Sequence, residues 1–112
     1  MADYIEIGQA IHNLQQEMAN KRKELEHYAK QYAQKEKEYQ IALNKKTLKL
    51  KYHDKEQVGI IDKIVKGSDE VSDAKFERDN ADAQYKACKA SLESMRAEMS
   101  GLQSIYRNVE EV

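Results

Sequence analysis

The spacing of apolar residues constrains this chain more than any other feature. Through residues 71–109 these residues recur at alternating steps of three and four, with Arg78 as the one polar member. The same spacing runs through residues 4–42, where Lys21 and Lys35 occupy two of the repeating positions. We call each set of repeating positions the apolar stripe of its helix. This is the heptad period of helices that bury one side. Because no proline interrupts either run, the pattern predicts an all-α protein with two long helices.

The two stripes are complementary when the chain folds back on itself. An antiparallel pairing places Tyr39 opposite Ala81, Tyr32 opposite Cys88 and Leu25 opposite Met95, so that large side chains face small ones. We therefore expect a coiled-coil hairpin that forms a single domain over residues 1–112. Its predicted parts are a helix over about residues 3–53, a turn and short helix over about 54–67, and a helix over about 69–110.

A lone pair of helices makes a poor core, because each stripe residue then contacts only one neighbouring helix. Small helical chains commonly complete such a core by association. The sequence therefore predicts a homodimer or larger helical bundle, held together through stripe residues. The predicted oligomer seam comprises Ile11, Leu14, Met18, Leu25, Tyr32, Tyr85, Leu92, Met95, Met99 and Leu102.

The stretch TLKLKYH, residues 47–53, carries a conflicting signal. Leu48, Leu50 and Tyr52 alternate with polar residues, which is the period of a half-buried strand. The residues before it repeat at a helical period, and the apolar stripe slips by one position after residue 42. We predict that the stretch is the last part of the first helix, and the strand alternative remains open.

Local charge is the main functional signal, since the net charge of the chain is only −1. Residues 44–55, the basic segment, hold five lysines against one acid, and residues 68–82, the acidic segment, hold six acids against two basic residues. The predicted pairing brings Lys51 near Asp69 and Lys46 near Asp73, so the segments neutralise each other in one interpretation. In the other, the lysines bind phosphates of a nucleic acid. These candidate nucleic-acid-binding residues are Lys45, Lys46, Lys49, Lys51 and Lys55.

No arrangement of residues indicates an enzyme. Glu24 and His27 have the spacing of a carboxylate-bridged metal site, but they flank the stripe and the expected role is a solvated helix face. Cys88 lies on the stripe and is expected to be a small buried residue. The four isolated glycines cannot form a phosphate-binding loop. We expect no catalytic residues, no metal, no cofactor and no small-molecule substrate.

The compartment follows from the same composition. A single cysteine cannot form an intramolecular disulfide and favours a reducing environment. The first residues, MADYIEIGQA, lack the features of a signal peptide, and no apolar run is long enough for a membrane span. We expect a soluble cytoplasmic protein without membrane contact.

A family resemblance is carried by residues 60–95, which read IIDKIVKGSDEVSDAKFERDNADAQYKACKASLESM. This segment resembles small helical proteins of bacteriophage early-gene clusters, and the layout is similar to phage recombination mediators. The resemblance implies a non-enzymatic accessory protein of DNA recombination or replication in the host cytoplasm. Its implied partners are itself, single-stranded DNA, and a recombinase or single-strand-binding protein. The alternative is an interaction module or inhibitor of a host system that binds no nucleic acid. The resemblance rests on the break at Gly67, the spacing from Ala81 to Tyr85-Lys86, and the ending Leu102-Gln103-Ser104.

The chain also resembles the beta-type prefoldin subunit, in which two coiled-coil helices flank β-hairpins. A chaperone subunit is the function that this second resemblance implies. TLKLKYH and VGIIDKIV would have to form its strands. Asp62 and Lys63, between Ile61 and Ile64, break the alternation that a strand requires.

Overall fold

The computed structural model describes the backbone of residues 4–111 and the side chains of residues 4–109. Helix α1 runs over Tyr4–Leu48 and continues as a π-helical segment, Lys49–His53. Helix α2 runs over Val58–Gly67, and helix α3 over Asp69–Glu111. Residues 4–111 contain no strand, so the predicted all-α fold class with long helices is confirmed.

The π-helical segment resolves the conflict in TLKLKYH. The backbone N–H of Asp54 donates to the carbonyl of Lys49, with an N···O distance of 2.9 Å, which closes a turn one residue wider than an α-turn. Leu50 is buried, whereas Leu48 and Tyr52 are exposed. The prediction that this stretch is helical is confirmed, and the strand alternative is wrong. The extra residue in the turn rotates Leu50 inward, which is the physical counterpart of the slipped stripe.

The turn after this segment contains a strained backbone. Lys55 has φ of 53°, in the left-handed region that side chains with a Cβ disfavour. The backbone N–H of Glu56 then donates to the carbonyl of Leu50 at 2.9 Å. This bond closes the end of the helix as in the Schellman C-cap, in which a residue of left-handed conformation follows the helix. The bond spans six residues here, one more than in that motif.

Ser68 separates α2 from α3. Its backbone is extended, with φ of −75° and ψ of 145°, and its hydroxyl donates to the carbonyl of Val65 at 2.8 Å. The N–H of Ser72 donates to the carbonyl of Ser68, so α3 begins immediately after this residue. Asp69 and Glu70 in the first turn of α3 favour the positive end of the helix dipole.

The chain divides into two compact units. The first unit comprises Met1–His27 and Lys86–Val112, and the second comprises Tyr28–Tyr85. In the first unit, buried residues of α1 and α3 form one apolar cluster, with Leu92 only 2% exposed. The aromatic rings of Tyr4 and Tyr106 stack there with centroids 4.6 Å apart, and their hydroxyls are hydrogen-bonded. The members of this cluster are Leu14, Met18, Leu92 and Met99, with Ile11, Leu25, Met95 and Leu102 packed against them.

The second unit has its own apolar cluster, to which all its helical segments contribute. Leu50 comes from the π-helical segment, Ile61 and Val65 from α2, and Val71 from α3. Tyr39, Ala42, Leu43 and Ile64 pack against this cluster. Both segments that a prefoldin-like layout needs as strands, TLKLKYH and VGIIDKIV, are therefore helical and contribute to a helical core.

The ten residues of the predicted oligomer seam are all buried or half-buried within one chain. Eight of them, from Ile11 to Leu102, belong to the cluster of the first unit. Tyr32 and Tyr85, in the second unit, are half-buried.

Among the described residues no helix combines the length and the apolar character that spanning a membrane requires.

The predicted register of facing residues is wrong in detail. Cys88 was expected opposite Tyr32, but its thiol lies 3.7 Å from the carbonyl oxygen of Lys21, to which it can donate. Tyr39 was expected to face Ala81, and instead its ring carries the guanidinium of Arg78 at 4.3 Å. A heptad stripe defines which side of a helix is buried. It does not define the register, because the stripe stays buried when the partner helix is shifted along its axis.

Replacing Leu92 by Ala tests the core of the first unit. We expect the loss of about 2–5 kcal/mol of unfolding free energy, because a buried leucine is replaced by a cavity. The matched control is Leu48→Ala, because Leu48 is 55% exposed. Apart from the difference in helix propensity between leucine and alanine, this change is expected to lower the unfolding free energy by less than about 0.5 kcal/mol. Denaturant titration followed by circular dichroism measures both. Equal losses in the two variants would contradict the assignment of Leu92 to a core.

Replacing Lys55 tests the strained turn. We expect Lys55→Gly to be more stable than Lys55→Ala by about 0.5–1 kcal/mol, because glycine adopts positive φ without a Cβ clash. The two variants remove the same charge, so their difference isolates the backbone. Thermal unfolding followed by circular dichroism measures it, and an alanine variant at least as stable as the glycine variant would show that Lys55 does not adopt this conformation.

Candidate functional site

An open groove of about 480 Å³ lies in the second unit, at the C-terminal part of α1. Ile41 and Ala42 supply its apolar surface, and Lys45, Lys46 and Lys49 supply its positive charge. We call it the basic groove. Its complete lining is Glu38, Ile41, Ala42, Lys45, Lys46, Lys49 and Glu70.

Helical spacing explains why these residues meet. Ile41, Lys45 and Lys49 are separated by four residues each and therefore lie along one side of α1. Ile41 is 53% exposed, because it lies beside the buried stripe rather than on it. Glu70, in the first turn of α3, forms the other wall. The groove therefore places three flexible ammonium groups around a small apolar surface.

Only one lysine of the basic segment is paired with the acidic segment in the described part of the chain. The ammonium of Lys46 lies 3.8 Å from a carboxylate oxygen of Glu70. The side chain of Glu70 is 69% exposed, so this pair is screened by water and weak. Lys46 was expected near Asp73, and the structure pairs it with Glu70 instead. Lys45 and Lys49 form no ion pair with a described residue.

The pKa of Glu70 reflects its position at the start of α3 and beside the groove. It is lowered from its ordinary value, chiefly because the carboxylate accepts a hydrogen bond from the backbone N–H of the same residue. The charges of Lys46 and Lys49 lower it further. Two lysines of the groove therefore act on this carboxylate.

The same two lysines also lower the pKa of a second carboxylate, that of Asp54. The pKa of Asp54 is lowered, first by its hydrogen bond with the His53 ring, whose Nδ1 lies 2.9 Å from the carboxylate oxygen. The charges of Lys49 and Lys46 lower it as well. The positive field of Lys46 and Lys49 thus extends from the groove to the end of the π-helical segment.

Lys51 and Lys55, the other two candidate residues, do not line the basic groove. Lys51 borders a separate depression of about 250 Å³ with Thr47, Val58, Ile61 and Asp62. Its ammonium lies 5.3 Å from the ring centre of Tyr52, and it forms no ion pair with Asp69, the described residue near which it was predicted. Lys55 occupies the strained turn. The predicted set of five lysines is therefore divided, with three in one groove.

The acidic segment forms other contacts. Glu77 accepts a hydrogen bond from Lys35 at 3.0 Å, and Asp79 accepts one from the neighbouring Arg78 at 2.9 Å. Arg78 also reaches Glu36, at 3.4 Å. Glu77 and Asp79 are thus paired with residues outside the basic segment.

Sequence reasoning missed the apolar part of the groove. Ile41 precedes the stripe residue Ala42, and its spacing of four residues from Lys45 was the available signal, whereas the wall at Glu70 depends on where α3 lies, which the stripe alone does not give. Phe76, at 72% exposure, is the most exposed aromatic side chain of the described residues. Its position off the stripe predicts this exposure, and Phe76 is not one of the residues that line the basic groove.

The other candidate chemistry is not assembled by the structure. Glu24 forms an ion pair with Lys21 at 2.9 Å, and no group of His, Cys, Asp or Glu residues suited to a metal ion occurs among the residues described. Cys88 is buried, in agreement with its interpretation as a small core residue.

The chain matches no protein-family model, curated protein or solved structure to which it was compared. The basic groove is the site whose chemistry is best defined, because three ammonium groups adjoin an apolar surface there.

Replacing Lys46 by Gln tests the electrostatics of the groove. We expect the pKa of Glu70 to rise toward its ordinary value, while the backbone hydrogen bond keeps part of the lowering. Lys45→Gln is the control, because Lys45 is not among the causes of that shift. Carboxyl-carbon NMR titration measures the pKa. An unchanged pKa in Lys46→Gln would show that the two side chains do not interact.

Proposed function

We propose that this protein is a non-enzymatic accessory factor that binds single-stranded DNA through the basic groove. The observation that carries the proposal is the convergence of Lys45, Lys46 and Lys49 on one open groove with an apolar floor. A chain with a net charge of −1 has no general attraction for nucleic acid, so binding has to depend on such a local concentration of cations.

The apolar floor favours a single strand over a duplex. Unpaired bases and sugars present apolar surface next to each phosphate, whereas a duplex shields its bases from the side. Ile41 and Ala42 can contact that surface while the ammonium groups of Lys45 and Lys49 contact phosphates. Because phosphate contacts carry no sequence information, the proposed binding is independent of sequence.

We also propose that α1 and α3 pair as an antiparallel coiled-coil hairpin, and that the chain self-associates into a helical bundle. Contacts inside each unit support the antiparallel order. In the first unit, Tyr4 contacts Tyr106 and Lys21 contacts Cys88. In the second unit, Lys35 contacts Glu77 and Lys46 contacts Glu70. In both units, later residues of α1 therefore contact earlier residues of α3.

A role in DNA recombination or replication follows as part of this proposal. A helical protein that holds a single strand without sequence preference is suited to pass it to a recombinase or to act beside a single-strand-binding protein. This assignment rests on the groove and on the resemblance to phage recombination mediators.

The second candidate function is a protein-interaction module without affinity for nucleic acid. The observation that favours it is the apolar exposure of the second unit, where Tyr52, Val58 and Phe76 are between 67% and 78% exposed. Where exposed apolar side chains form a contiguous patch, that patch is typical of sites that bind proteins.

Reversing two charges distinguishes these functions. We expect the wild-type protein to bind a fluorescent oligothymidylate, with an affinity that falls with salt at a log–log slope of about −0.7 per phosphate contacted. In Lys45→Glu/Lys49→Glu the affinity should fall by at least about tenfold, a loss of roughly 1.4 kcal/mol, because attraction becomes repulsion. Fluorescence anisotropy at several salt concentrations measures both quantities.

The matched control is Lys23→Glu/Lys89→Glu, which changes the net charge equally at exposed positions of the first unit. This control should bind like the wild-type protein. Binding that is equally reduced in both variants would show a general charge effect rather than a groove. If the wild-type protein bound no oligonucleotide even at low salt, the interaction-module function would be supported instead.

A further inference from the structure

Phe76 is a large apolar side chain left in solvent within the acidic segment. It borders a depression of about 220 Å³ together with Lys35, Glu77 and Ala81, among others. Asp69, Asp73 and Phe76 lie along one side of α3, because they are separated by four and three residues. The result is an exposed aromatic ring with negative charge on the same side of its helix.

This depression and the basic groove are neighbours on one face of the second unit. Lys35, in the depression, forms an ion pair with Glu38, in the groove, at 3.3 Å. The pairs Lys35–Glu77 and Lys46–Glu70 mark the same side of the unit, since Lys35 and Lys46 are three helical turns apart and Glu70 and Glu77 are two. Along α1, Lys35 and Lys45 are separated by about 15 Å. One face therefore carries an acidic aromatic projection and, beside it, a basic groove with an apolar floor.

The two features complement each other in shape and in charge. A groove of about 480 Å³ has room for a phenyl ring, and Ile41 and Ala42 offer it an apolar surface. Lys45 and Lys49, unpaired with any described residue, would meet Asp69 and Asp73. Within one chain Phe76 cannot fill the groove, because it lies in the neighbouring depression.

We infer that the occupant of the basic groove in the free protein is Phe76 of a second copy of this chain. The contact is isologous: each copy inserts its Phe76 into the groove of the other, and the acids beside Phe76 meet the lysines of the groove. Two-fold symmetry requires a patch that complements itself when rotated, and a projection beside a matching groove satisfies that requirement. Two buried aromatic rings supply the anchors that such small interfaces depend on.

This inference rests on the self-association and DNA binding proposed above, and it adds a relation between them. Lys45 and Lys49 contact either a second copy or a phosphate backbone. Self-association and binding of a single strand are therefore mutually exclusive at the groove. An oligonucleotide is expected to separate the two copies, and dimer formation is expected to lower the apparent affinity for DNA at high protein concentration.

Removing the ring tests the contact directly. In Phe76→Ala we expect the dissociation constant of the dimer to rise at least tenfold, measured by sedimentation velocity over a concentration series. Because Phe76 is 72% exposed, circular dichroism should show an unchanged fold. The matched control is Ile105→Ala, which removes an exposed apolar side chain from the first unit and should associate like the wild-type protein. A Phe76→Ala protein that dimerises like the wild type would overturn the inference.

A charge exchange tests the polar part of the contact. Lys45→Glu and Asp73→Lys should each weaken self-association, because each brings like charges together in both symmetric contacts. Mixing the two variants should restore a dimer, because in the mixed pair both contacts again join opposite charges. Restoration confined to the mixture supports the inference, whereas equal association of the mixture and the separate variants would overturn it.

The same proteins separate this inference from the proposed function. Phe76→Ala should bind oligothymidylate at least as tightly as the wild-type protein, because the groove is no longer occupied. Loss of dimerisation in Phe76→Ala without oligonucleotide binding by either protein would overturn the proposed DNA binding and support the contact. Oligonucleotide binding by a protein that sediments as a monomer at all concentrations would overturn the contact and support DNA binding.

Discussion

The burial of one apolar stripe on each long helix is the constraint on which the rest of the structure depends. The chain has a mean hydropathy of −0.92 and is 35% charged, so most of each helix surface is polar. In such proteins helix propensity supplies little of the stability, and packing of the apolar side supplies most of it. Leu92 in the first unit and Val65 and Val71 in the second are each only 2% exposed. These contacts hold the backbone in place, and Lys45, Lys46 and Lys49 lie outside the two apolar clusters.

The π-helical segment shows how a small change in backbone geometry brings one more residue into the core. A wider turn at Lys49–His53 brings Leu50 into the cluster formed with Ile61 and Val65. Lys49 lines the basic groove, while Lys51, two residues on, lies near Tyr52 and the second depression, as i and i+2 positions of a helix point to different sides. A hydrogen bond from the Thr47 hydroxyl to the carbonyl of Leu43, at 2.8 Å, precedes this change, and such bonds often bend helices. Of the groove residues contributed by the first helix, only Lys49 lies beyond the point where regular α-helix ends.

The sequence predicted the fold class and the buried residues well, because both follow from period alone. Leu14, Met18, Leu92 and Met99 were identified in this way, and all are buried. The register was not predictable to the same degree. Matching large residues with small ones allowed several alignments, and the structure uses tyrosines differently, with the ring of Tyr39 against Arg78. The lysines of the groove were visible as a charge cluster, but the wall at Glu70 depended on the register and so could not be derived.

Paired charge does not close the basic groove to a ligand. Lys46 has a partner in Glu70, yet that carboxylate is 69% exposed, and exposed pairs contribute only about 0–1 kcal/mol. A phosphate can therefore replace Glu70 beside Lys46 at little cost, since both anions accept hydrogen bonds from the ammonium. Glu70 would keep the hydrogen bond to its own backbone N–H after such an exchange, and that bond is the larger cause of its lowered pKa. The carboxylate thus stays stabilised when its lysine binds another anion, so the local ion pair does not prevent the proposed binding.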